Sequence, residues 1–165
     1  MKRTIEILNE LERDGVFSRY AIGGAMAAIF FTEPFLTFDV DVFVALHPTG
    51  GGLLTLAPIY DALRARGCKE EQECMVIEGV PVQFLPVPNS LVEEALEHAA
   101  EMTYEEVPVR VLRSEYLVAI AIQTGRSKDR ERVRILREQA QLDPNALASI
   151  LRRHQLEERW NQWME

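Results

Sequence analysis

The stretch Phe38-Asp39-Val40-Asp41-Val42-Phe43-Val44-Ala45 places the tightest constraint on what this chain can fold into. β-Branched and aromatic residues at this density favour a strand, and along a strand alternate side chains share a face. Phe38, Val40, Val42 and Val44 then form one wholly apolar face, while Asp39 and Asp41 stand together on the other. Their Cα atoms are roughly 6.5 Å apart at strand rise, close enough for two carboxylates to repel unless a cation neutralises them. A central strand with one face in a core and the other turned to a divalent ion answers both requirements. The plain alternative is a half-exposed strand whose outer face is acidic, and Asp-x-Asp alone does not separate the two.

The remainder of the chain supplies a core for such a strand. Its 165 residues, 47% hydrophobic and 27% charged, are the profile of one soluble globular domain or two small lobes. No apolar run approaches the roughly 20 residues of a membrane span, so no membrane association is expected. The N-terminal MKRTIEILNELERDG is an amphipathic mixture of acids and bases rather than a signal peptide, which points to a cytoplasmic protein of bacterial or archaeal type. A net charge of -8 argues against bulk DNA binding or any broad nucleic-acid binding, because Lys and Arg supply most of that affinity. Cys68 and Cys74 lack zinc-site spacing and partner histidines, so free buried thiols are expected. His47, His98 and His154 are scattered and receive no role.

Element types alternate along the chain. Ile5, Leu8 and Leu11 recur at helical spacing over residues 4–13, with Gly15 just beyond. Tyr20 to Ile22 reads as a short strand entering Gly23-Gly24, Ala25 to Phe31 as a buried helix stopped by Pro34, and Phe38 to Ala45 as the central strand. A loop over residues 47–52 leads to a helix from Pro58 to Arg66. Glu78-Gly79 joins strands 73–77 and 80–87 as a hairpin, and Ser90-Leu91-Val92-Glu93 has the form of a capping box. A strand over residues 107–112 precedes helices beginning near Ser114, Ser127 and Asp143-Pro144. The fold class is thus α/β (α+β), divided as an α/β core over 1–112 and a helical part over 113–165.

Two segments in the same chain sharpen this. The run IGGAMAAIFFTEPFLTFDVDVFV resembles the signature of the DNA polymerase beta-like nucleotidyltransferase superfamily, in its minimal bacterial form, where a Gly-Gly turn opens a helix and Asp-x-Asp follows on a strand. That group includes antibiotic nucleotidyltransferases and nucleotidyltransferases of abortive-infection and toxin-antitoxin systems. VLRSEYLVAIAIQTGRSKDRERVRIL, residues 111–136, is similar to the helical segment found downstream in those proteins. The resemblance implies a nucleotidyltransferase-like mixed sheet flanked by helices and transfer of a nucleoside monophosphate from an NTP to a hydroxyl.

It also implies roles. Asp39 and Asp41 would hold Mg2+ (or Mn2+) against the triphosphate, and Gly23 and Gly24 would let backbone approach the phosphates. Thr37 would support the site, and Lys128 and Arg126 would lie at the phosphates. Family members usually carry a third carboxylate on a later strand, and the residue aligned with it here is Gln83, which cannot take a proton from an attacking hydroxyl. Glu73 and Glu78 are the substitutes within reach in sequence. Phe35 and Phe38 stand where relatives often have basic residues.

Residues 126–137 carry six basic side chains against two acidic ones, a local basic site or simply a solvated helix. On helical geometry Arg126, Arg130 and Arg134 share a stripe, with Val133 and Leu136 turned to the core. Leu156, Trp160 and Trp163 make an apolar stripe expected to dock on the core or a second subunit. The expected activity is nucleotidyl transfer to an acceptor of open class: tRNA, protein or small molecule. The alternatives are a nucleotide-binding protein with degenerate catalysis and a toxin-antitoxin interaction module with a protein partner.

Overall fold

The computed structural model describes every residue except Thr49, so that part of the loop expected over residues 47–52 lies outside the described residues. The chain opens with α1 (Lys2–Arg13), which buries Ile5, Leu8 and Leu11 against the sheet. It continues through β1 (Arg19–Ile22), a five-residue α2 (Gly24–Ala28), β2 (Val40–Ala45) and α3 (Ala57–Ala65). Three strands follow, β3 (Lys69–Glu71), β4 (Cys74–Ile77) and β5 (Val80–Pro86), then α4 (Ser90–Glu97), β6 (Ala100–Tyr104) and β7 (Val107–Val111). Four helices close the chain: α5 (Ser114–Thr124), α6 (Ser127–Gln139), α7 (Pro144–Arg153) and α8 (Glu157–Met164). No helix among the described residues is long and apolar enough to cross a membrane.

The strands form one mixed sheet in the order β3-β4-β5-β2-β1-β7-β6. Strand β2 is central, antiparallel to β1 and parallel to β5, and Val40, Val42 and Val44 are buried as its alternation requires. It begins two residues later than expected. The first rung of its ladder is Val40 opposite Val82, so Phe38 has no strand to pair with and is 80% exposed rather than part of the apolar face. The helix expected over residues 25–31 is also shorter, ending at Ala28 well before Pro34, with only Ala27 and Ala28 buried. Strand β3, whose three charged residues are all exposed, protects one edge of the sheet from pairing with another chain.

Local chemistry explains most boundaries. Glu78 and Gly79, both at positive φ, make the tight turn between β4 and β5, and Glu105-Glu106 adopts the same left-handed conformation between β6 and β7. Asn89, not Ser90, caps α4, its side-chain oxygen accepting from the Val92 amide at 3.0 Å. Helix α5 is apolar around most of its circumference and is correspondingly enclosed, packing against α2, α4, α6 and α7. Glu94 ties three helices together: it accepts from the Tyr116 hydroxyl at 2.8 Å, pairs with Arg153, and lies 2.7 Å from His154 Nε2. Burial pushes this carboxyl up, and the three partners overcome that and bring it down to about 2. Both cysteines are free, as expected, but half-buried rather than enclosed.

The cap of α7 offers a direct check. Asp143 accepts from the backbone amides of Asn145 and Ala146 at 2.9 and 3.1 Å. Asp143→Ala is expected to lower unfolding free energy in urea by about 1 kcal/mol, and Asp143→Asn to retain most of it.

Candidate functional site

The site grows from the meeting of β1 and β2. Gly23 follows the last residue of β1 and donates its amide to the Asp41 carbonyl at 2.9 Å, which brings the turn directly against β2. A Cβ on Gly23 would lie 2.4 Å from the Phe43 ring. Gly24 has φ +59°, and a Cβ there would lie 1.9 Å from Asp41 Oδ2. The double glycine is therefore required by the two side chains that β2 points at it: the Asp41 carboxylate occupies the space where a side chain at 24 would be.

Asp41 is half-buried, and that burial, followed by the negative charge of Asp39, pushes its carboxyl above the ordinary value; Arg132, Arg126 and Lys128 pull it back. Asp39 precedes the strand and is exposed. Its carbonyl accepts from the Thr37 hydroxyl at 3.3 Å, so Thr37 braces the approach to the carboxylate pair.

Gln83 stands directly beside Asp41 in the parallel register of β2 and β5 and lines the same cavity. Its Nε2 donates to Glu73 Oε2 at 3.4 Å, which commits the nitrogen end of the amide and leaves the oxygen end to accept or coordinate. Glu73 belongs to the same neighbourhood: burial first, then the charges of Asp39, Asp41 and Glu73, pushes the Cys74 thiol up. Glu78, in contrast, sits in the β4–β5 turn, where its charge acts on Cys68.

The cavity has a volume of about 300 Å³. Asp41, Gln83, Phe43 and Leu85 line it from the sheet, Asn89 and Val92 from α4, and Leu117, Ile120 and Gln123 from α5. Arg126, Asp129 and Arg132 line it from the start of α6. Asp129 is fully buried and accepts from Arg126 Nε at 2.8 Å, from Arg126 Nη2 at 3.1 Å and from Arg132 Nη1 at 3.4 Å. Of the six basic residues in this segment, only these two arginines line the cavity. Arg134 pairs with Glu131 and Glu138, while Arg130 and Arg137 lie over the rings of Trp163 and Trp160 at 5.1 and 5.6 Å. Lys128 is exposed and outside the lining, acting on Asp41 only through space. The tryptophan stripe thus docks α8 on α6. Arg132, Asn89, Gln123 and Thr124 are the polar lining residues to which the sequence assigned no role; the basic run held Arg132, but nothing local marks the other three.

Among the described residues no three His, Cys, Asp or Glu side chains converge as a metal cage. Mg2+ does not need one: it takes one or two carboxylates and fills its octahedron with water and phosphate oxygens. Asp39, Asp41 and the Gln83 carbonyl are hard oxygen donors of that kind, and the repulsion between the aspartates is what a cation relieves.

Two solved structures resemble this one. An antigenic nucleotidyltransferase-like protein from Paracoccidioides brasiliensis superposes with a TM-score of 0.53 at 16% identity, over 80% of this chain and 71% of that one. ANT(2")-Ia, solved in complex with adenylyl-2"-tobramycin, superposes with a TM-score of 0.55 at 14% identity, over 97% of this chain and 99% of that one. No protein-family model matches the chain, and no curated protein does. At these identities the likeness establishes the fold: an α/β, nucleotidyltransferase-like mixed sheet flanked by helices.

Asp41 supplies the test of the electrostatics. A carboxyl raised in the folded state favours folding fully below its unfolded value, and that contribution is lost as pH rises through the folded value. Asp41→Asn is therefore expected to match the native protein in urea unfolding at pH values below the ordinary carboxylate range and to be at least as stable at pH 7 in metal-free buffer. Strong destabilisation of the variant at pH 7 would make Asp41 a structural residue.

Proposed function

We propose that this protein transfers a nucleoside monophosphate from an NTP to a hydroxyl acceptor with Mg2+ or Mn2+, in the cytoplasm, residues 1–112 forming the nucleotidyltransferase core and 113–165 the helical part that closes the cavity. The observation that carries this reading is the Asp41 carboxylate lodged against Gly24 in a cavity whose facing wall holds Arg126 and Arg132. Asp39 and Asp41 would hold the metal, which when bound offsets the triphosphate charge and the charge that builds up at the transferred phosphorus. Gly23 and Gly24 keep side chains out of the phosphates' approach. Arg126 and Arg132, steadied by Asp129, add positive charge on the opposite side, and Lys128 adds it at longer range.

In the transfer the acceptor oxygen forms a bond to the α-phosphorus, pyrophosphate leaves, and the hydroxyl proton passes to a base. Gln83 cannot take that proton. Glu73, whose carboxylate lies 3.4 Å from Gln83, is the candidate base, and its placement among Asp39, Asp41 and Cys74 supports it over Glu78. The neutral amide at 83 equally favours a second reading, a protein that binds nucleotide but turns over little; the net charge of -8 separately supports one half of a toxin-antitoxin pair whose acidic surface meets a basic protein. A tRNA end, a protein hydroxyl and a small molecule are the acceptor classes to be tested.

Incubation with each labelled NTP and Mg2+ or Mn2+, against total tRNA and a cell lysate, is expected to show transfer of label. Asp39→Asn with Asp41→Asn should abolish metal-dependent NTP binding. General-base assistance is worth about 10² to 10⁴ in rate, so Glu73→Gln should lower transfer by at least about 10²-fold with NTP affinity nearly unchanged. NTP binding without transfer, with activity appearing in Gln83→Asp, would instead establish the nucleotide-binding protein with little turnover; absence of NTP binding would overturn both nucleotide-binding readings and leave the interaction module.

A further inference from the structure

The cavity does not end at the carboxylates. In the parallel register Leu85 lies beside Phe43 as Gln83 lies beside Asp41, two residues further along both strands, and Asn89 follows where β5 gives way to α4. Along β5 and its exit the lining therefore runs from Gln83 beside Asp41, past Leu85 beside Phe43, to Asn89, which pairs with Gln123, while the arginines line the cavity from the start of α6. Charge, then flat apolar wall, then hydrogen-bonding edge is the order of groups in a nucleotide: phosphate, sugar, base.

The amide pair has a fixed polarity. Asn89 caps α4, and a cap requires an oxygen, so its Oδ1 faces the Val92 amide and its Nδ2 faces away from the helix. That nitrogen donates to Gln123 Oε1 at 2.8 Å. The oxygen end of Gln123 is thereby turned to Asn89, and its Nε2 makes no hydrogen bond among the described residues. The backbone beneath is held as well: the carbonyls of Ile122 and Gln123 both accept from Arg159 Nη1, at 3.0 and 2.8 Å. Gln123 is gripped at its main chain from α8 and at its amide from α4, and N–H groups are what it has left to offer a ligand.

An amide free at both ends pairs with adenine by donating to N7 and accepting from N6–H. One whose oxygen is committed only donates, and donors match O6 and N7 of guanine or O4 of uracil. We propose that the Asn89–Gln123 pair reads the base of the bound nucleotide and selects keto bases, guanine or uracil, over the amino bases adenine and cytosine. This rests on the placement of the triphosphate at Asp41 argued above.

Calorimetric titration of the full chain with GTP, UTP, ATP, CTP and inorganic tripolyphosphate, each with Mg2+, tests it. GTP or UTP should bind at least about 5-fold more tightly than ATP and CTP, the low end of what one good base contact discriminates, and the stronger of the two tells purine from pyrimidine. Gln123→Ala should bring the four NTPs close to parity and leave tripolyphosphate affinity unchanged. Asn89→Asp keeps the capping oxygen but replaces the donor by an acceptor, so Gln123 must turn its N–H2 toward the new carboxylate and its oxygen to the ligand; the preference should move toward ATP and CTP. Tripolyphosphate binding with no base preference in the native protein, or a preference that neither variant changes, would overturn the base reading and leave the phosphate site standing. Failure of tripolyphosphate and all four NTPs to bind would overturn the phosphate site itself and this inference with it.

Discussion

The site is laid out from one contact, the Asp41 carboxylate against the bare Cα of Gly24. It demands that residue 24 have no side chain and adopt a left-handed conformation, that β1 stop at Ile22, and that the turn cling to β2 through the Gly23 amide. In return it takes a carboxylate partly out of water beside a second one. The resulting electrostatic cost is a local instability built into the middle of the sheet, tolerable because Val40, Val42 and Val44 bury the other face of the same strand.

Positive charge reaches Asp41 by an indirect route. The positions just before Asp39 hold Phe35 and the exposed Phe38. The cations come instead from α6, far along the chain, and a buried anion brings them there: Asp129 holds Arg126 and Arg132 in place at the cavity wall. A carboxylate at zero exposure costs a great deal of solvation, and two guanidinium partners are the usual way of meeting that cost. The other arginines of α6 are engaged with Glu131, Glu138 and the two tryptophans, which is why a strongly basic helix contributes so narrow a positive surface.

Much of this could be read before any coordinates, and what could not has physical reasons. Strand β2, the double glycine and most helices announce themselves through periodicity and capping residues, because those signals lie within a few positions of their targets. Strand β6 escaped because its turn is Glu105-Glu106, a left-handed pair without glycine or asparagine, and β3 because three charged residues carry no hydrophobic alternation. The start of β2 was misplaced for a third reason: Phe38 has every local property of a strand residue but no neighbouring strand to pair with. At the cavity, residues brought together by the sheet register, such as Gln83 beside Asp41, follow once the pairing is known. Asn89 and Gln123 meet across 34 positions through helix packing, and nothing in either neighbourhood anticipates it.

The grip of Arg159 on the end of α5 has a consequence for how occupancy would be controlled. Because α8 buries none of its residues fully and is held by the half-buried Trp160, Trp163 and Met164, two cation–π contacts and this one guanidinium, it belongs to the less strongly held parts of the fold, where local opening is cheaper. Each excursion of α8 would release the wall that carries Gln123 while leaving the sheet and its carboxylates intact. The apparent dissociation constant would then be the intrinsic one divided by the fraction of molecules with α8 seated, so a macromolecule that captured Trp160 and Trp163 would weaken ligand binding by a shift in population, without touching the cavity.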